Sequence, residues 1–159
     1  MRLVVFGWGN ESRGDDGLGP LLLRRLAEAA PPDLVAIEDY QLQIEHALDL
    51  EGADCALFID AGKGTKTPFT FQEISPHADV AHTTHALAPE AVLAVFARIK
   101  KARPPPAFVL CVRGESFALG DGLSDEAKAR LDSAWSFLSE LMQERSLAAW
   151  RRRSFEFAV

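Results

Sequence analysis

The chain has 159 residues, 48% of them hydrophobic, which suits one compact domain able to bury a stable core. Its formal net charge of −6 and pI near 5.2 would repel nucleic acid and anionic membranes, so neither is an expected partner. The opening apolar run is too short for a signal-peptide core and no other run approaches a membrane span, so a soluble, cytoplasmic protein is expected.

Residues 2–6 form an apolar, β-branched run ending in glycine, the mark of a buried first strand. From Asp16 onward Leu18, Leu21, Leu22, Leu26 and Ala29 recur at helical spacing until Pro31 and Pro32 stop them. Residues 34–38 predict a second strand, and residues 44–50 a short helix with His46 and Asp49 on its wetter side. Residues 53–60 predict a third strand, with Asp60 where it emerges into a turn. Residues 69–74 alternate as an edge strand would, and residues 75–84 make a polar loop containing His77 and His82. A helix over 86–101, a strand over 107–113 and a helix from the N-cap Ser124 to about Glu144 complete the pattern. Strands alternating with helices predict an α/β three-layer sandwich, with a mostly parallel, twisted sheet of about five strands and helices on both faces. Residues 1–144 make the single domain. Residues 145–159, with the basic cluster Arg151, Arg152 and Arg153, read as a frayed extension of no assigned role. Cys55 and Cys111 lie in strand-like runs and read as reduced, buried thiols.

The segment from Gly7 to Gly19, GWGNESRGDDGLG, follows the first strand and opens the first helix. Its Gly7-x-Gly9 start suggests dinucleotide binding, with Glu38 and Asp39 placed for a ribose, and makes a nucleotide-binding oxidoreductase the first rival. Two details oppose that. Ser12 stands where the fingerprint needs its third glycine, and Asp15 and Asp16 occupy the helix start where a pyrophosphate would need free amides and positive potential. One acid there is explained by capping, and Asp15 is given that part; two adjacent acids between glycines exceed what capping requires. A metal cation is the simplest ligand for Asp16.

In a doubly wound sheet the crevice lies beyond the carboxyl ends of the strands where their order reverses, which would bring Asp16 and Asp60 together. His85, entering the next helix, is placed to project over the same crevice. Two carboxylates and an imidazole suit a borderline divalent metal such as nickel or zinc and leave a position open for water, the arrangement amide hydrolysis needs. No serine sits in a nucleophile elbow and neither cysteine starts a helix, so covalent catalysis is not expected.

These residues resemble the nickel-iron hydrogenase maturation endopeptidases. The glycine-asparagine-acidic pattern of Gly7 to Gly19, Asp60-Ala61 at a strand end and Thr84-His85 at a helix entry all match, so the likeness spans residues 1 to about 144. The resemblance implies an α/β peptidase of the aspartic or metal-dependent type that activates its partner, the hydrogenase large-subunit precursor, by removing a C-terminal extension once nickel is in place. It also implies that Asp16, Asp60 and His85 contact that nickel, which arrives with the substrate and is not a resident cofactor, and that Gly9, Asn10, Asp39 and Gln41 meet the substrate. The chain departs from many members in having Asp, not Glu, at position 16. It carries Asp39-Tyr40-Gln41-Leu42-Gln43-Ile44-Glu45-His46 where many have glycines, which resembles the branch serving cytoplasmic, NAD-linked bidirectional hydrogenases. A non-catalytic nickel carrier using the same three residues is the second rival.

Overall fold

Apolar residues that alternate between two buried faces assign the layers of this protein before any helix is considered. In β1 (Leu3–Trp8), Leu3 and Val5 enter one core and Val4 and Phe6 the other, and all four are buried. The same division runs through β3 (Cys55–Gly62), with Cys55, Leu57 and Ile59 on the first face and Ala56 and Phe58 on the second. Strands buried on both sides need helices above and below. The computed structural model, which describes residues 1–77 and 87–158, supplies them.

The strands β2 (Leu34–Asp39), β4 (Phe69–Ile74) and β5 (Ala107–Arg113) complete a sheet of order β2-β1-β3-β5-β4, parallel except for the antiparallel edge strand β4. Helices α1 (Leu18–Ala29), α3 (Asp125–Gln143) and α4 (Leu147–Glu156) cover the Leu3 and Val5 face. Helix α2 (Pro89–Lys100) and the short 3₁₀ helix Ile44–Leu50 cover the Val4 and Phe6 face. This is the three-layer α/β sandwich expected from sequence. Ser124 caps α3 as predicted, its hydroxyl accepting from the Ala127 N–H at 3.1 Å. Among the described residues no helix is long and apolar enough to cross a membrane.

The segment beyond Glu144 is not frayed. It forms α4, whose Trp150 is fully buried among Phe71 and Phe108 and donates its indole N–H to the Leu141 carbonyl at 3.1 Å. Ser146 caps it by accepting from Ala149. Its arginines are held as well: Arg151 forks onto Glu73, while Arg152 and Arg153 pair with Glu144 and Glu140. His46 is likewise not on a wet face. It is buried against the edge of Phe6, and its Nδ1 accepts from the Gln43 N–H while its Nε2 lies 3.3 Å from Asp39. The first helix begins later than expected, because Gly14–Gly17 forms a 3₁₀ turn ahead of α1.

Candidate active site

The chain leaves β1 for β2 on one side and returns to β3 on the other, so strand order reverses between β1 and β3. Pairing between these two strands stops at Gly7 and Ile59, whereas β3 stays paired with β5 as far as Gly62 and Arg113. Asp60 therefore lies in the third strand as expected, but the strand runs on to Gly62 and does not end at residue 60: one side of the Asp60 backbone is paired, and the other faces the gap where β1 has turned away.

Asp16 reaches the gap from the 3₁₀ turn. Gly9 has φ of +147°, and a Cβ there would lie 1.9 Å from the Asp16 carbonyl oxygen, so only glycine lets the end of β1 pass this closely beneath the turn. The Asn10 N–H then donates to Asp16 Oδ2 at 2.6 Å and holds the carboxylate in place. Asp16 and Asp60 share a crevice of ≈ 370 Å³ whose other walls include Trp8, Tyr40, Gln41, Lys63 and Phe117. Burial pushes the Asp60 carboxyl up and the neighbouring Asp16 charge adds to it. The Ala61 N–H, donating to Oδ1 at 2.8 Å, opposes the rise, and the net result is a pKa of about 7. A carboxyl that exchanges its proton near neutrality beside a second carboxylate can hold a cation or move a proton.

Of the remaining residues singled out from sequence, Gln41 lines this crevice. Gly9 and Asp39 line an adjoining pocket of ≈ 260 Å³, and Tyr40 borders both. Asn10 acts on Asp16. His82 and His85 lie outside the described residues, and among the described residues no group of three or more His, Cys, Asp or Glu is disposed to hold a metal. Lys63 and Phe117 were not anticipated. Phe117 follows β5, beside β3 in the sheet, so the rule that placed Asp60 would also have pointed to its loop.

The features a dinucleotide would use are already engaged. The Gly14, Asp15 and Asp16 amides donate to Asp121, Ser116 and Arg13, and Glu38 holds Arg24, which also forks onto Glu11.

Asp15 does not cap the helix. It is fully buried, and its Oδ2 accepts from the Glu115 N–H (2.7 Å), the Ser116 N–H (3.0 Å) and the Ser124 hydroxyl (2.7 Å), while its Oδ1 accepts from the Ser124 N–H (2.8 Å). Burial alone would push its carboxyl up. The bonds from Glu115, Ser124 and Ser116 outweigh burial and hold it below the ordinary value.

The chain superposes on the nickel-iron hydrogenase maturation protease HycI of Thermococcus kodakarensis with 22% identity and a TM-score of 0.69, over 89% of this chain and 92% of that one. It matches the hydrogenase maturating endopeptidase HybD of E. coli at 21% identity and a TM-score of 0.70, over 92% and 94%. A hydrogenase 2 maturation peptidase from a Thaumarchaeota archaeon matches at 23% and 0.64, over 90% and 99%. No protein-family model and no curated protein matches the sequence. The fold of this chain is the fold of these hydrogenase maturation proteases.

Proposed function

We propose that this protein is an endopeptidase that removes a C-terminal extension from the nickel-loaded precursor of a hydrogenase large subunit. The observation that carries the reading is the pair Asp16 and Asp60, converging at the switch-point crevice of this fold with one carboxyl poised near neutrality. Nickel here belongs to the substrate. Asp16, Asp60 and His85 would contact it, so that the scissile peptide is held beside the same carboxylates, and positioning of this kind supplies much of a hydrolytic rate. One carboxyl of the pair can then take a proton from the attacking water and return it to the leaving amine. Gln41 in the crevice and Asp39 in the adjoining pocket would meet the flanking segment and help to select the precursor, with the cytoplasmic NAD-linked hydrogenases as the expected source. The free thiols Cys55 and Cys111 suit a reducing, cytoplasmic setting.

The test is to incubate purified protein with nickel-loaded precursor and follow the mass of the large subunit. Wild type is expected to shorten it, nickel-free precursor to stay intact, and Asp16→Asn, Asp60→Asn and His85→Ala to slow cleavage by roughly a hundredfold or more. A precursor that keeps its extension but loses its nickel to the protein would make this chain a carrier.

A further inference from the structure

The Asp15 carboxylate takes no part in the chemistry above, yet it joins the turn that carries Asp16 to the loop 114–124. Its four bonds are reinforced by three between the two backbones: the Asp15 N–H donates to Ser116 O (2.8 Å), the Gly14 N–H to Asp121 O (3.0 Å) and the Gly120 N–H to Ser12 O (2.6 Å). The segments approach so closely that a Cβ on Gly114 would lie 2.9 Å from Asp15 Cβ and 2.6 Å from the Phe117 ring. The loop has no regular secondary structure of its own; beyond the Gly114 N–H bond to Gly62 O (2.9 Å) and the pairs that Arg113 and Arg130 make with Glu115 at its start, these bonds are what hold it against the turn. Phe117 projects from it as a wall of the crevice, and the Lys63 ammonium sits 5.0 Å over the ring.

We infer that Asp15 is a positioning residue: it fixes the loop 114–124 against the turn that carries Asp16, and so sets the gap between the crevice carboxylates and the Phe117–Lys63 wall into which the scissile segment must fit. The inference rests on the endopeptidase reading. Asp15 is shut away from the crevice behind its bond donors and acts through the wall it holds. Asp15→Asn keeps one acceptor oxygen and puts an NH2 donor in place of the other, so either the Ser124 N–H or the N–H groups of Glu115 and Ser116 face a donor, which loosens the loop while leaving Asp16 and Asp60 chemically intact.

Two measurements on the full chain test this. In Asp15→Asn hydrogen-exchange protection is expected to fall at the Ser124 amide or at those of Glu115 and Ser116 by about tenfold or more beyond any change in the β1 and β3 amides, which follow global stability. With nickel-loaded precursor, kcat is expected to fall roughly ten- to a hundredfold with KM little changed, since misplacement at a distance acts on alignment more than on affinity. Ser124→Ala, which removes one bond of the four, should act in the same direction and more weakly. The double variant should be no slower than Asp15→Asn, the non-additivity expected of one shared network. A folded Asp15→Asn with wild-type kcat, or with unchanged loop exchange, overturns the inference. If Asp15→Asn does not fold, unchanged kcat and exchange in Ser124→Ala overturn it in its place. Wild-type protein that leaves the precursor whole brings down the endopeptidase reading and with it the role in positioning, while exchange still decides whether Asp15 holds the loop.

Discussion

Asp60 holds its proton more tightly in the folded chain than in the unfolded one, because burial and the Asp16 charge both oppose its ionisation. Between its ordinary value of 3.8 and about 7 the native state binds a proton that the unfolded state has lost, so stability falls as pH rises through that window and is level above it. The loss is on the order of a few kcal/mol. In metal-free protein Asp60→Asn is therefore expected to melt higher than wild type above the window and about equally below it. A melting difference that does not change with pH would remove burial as the cause. Asp15 has the opposite sign: its lowered carboxyl adds stability that is present above the ordinary value and lost as acid protonates the native state. Asp15→Asn should thus cost stability at neutral pH and nothing once the medium is acid enough to protonate Asp15 itself, which acid titration of the two melting curves would show. Nothing local separates these neighbours. Asp15 and Asp16 are alike in sequence, and their parts are assigned by bond donors that arrive from Glu115 and Ser124, about a hundred positions away.

The strands and the long helices were legible because each has a periodicity dictated by its own burial, period two for β4 and three to four for α1 and α3. Helix α4 was not, because its apolar content is concentrated in a few residues among arginines. Beside its Ser146 cap, what orders it is chiefly the Trp150 indole and acids borne by other elements, and neither can be read from a window of local sequence. The division of effort within α4 is testable. Trp150→Ala should cost about 3–5 kcal/mol, through lost burial and the cavity left between Phe71 and Phe108. Arg151→Ala, which breaks only an exposed fork on Glu73, should move the unfolding midpoint far less. Equal effects in denaturant titrations would mean that the helix is held by its charges. His46 shows the same limit at one residue: a histidine in a short polar stretch looks exposed until Phe6 and Asp39 close on it.

At the scale of the whole molecule, the sheet's order explains why a crevice exists where it does, and this much followed from counting strands and helices along the chain. β4 lies at the edge, as its alternation suggested, but its antiparallel direction was not legible, since a return at the edge depends on what closes it. Helix α4 does so: the Glu73 N–H donates to the Ser154 hydroxyl at 3.0 Å on the outer side of β4, and the indole of Trp150 lies on the rings of Phe71 and Phe108 beneath. This arrangement sets an order of events during synthesis. Until residues 147–156 have left the ribosome, a nascent chain that has already built all five strands carries a bare strand edge and two aromatic rings that lack the indole that covers them, a state in which chains adhere to one another. A chain ending at residue 146 is expected to reproduce that state permanently and to sediment on expression where the longer chain remains dispersed, an outcome that ultracentrifugation of lysates checks directly. The helix that looked like slack at the end of the domain is thus the piece whose docking shuts that edge and those rings away from neighbouring chains.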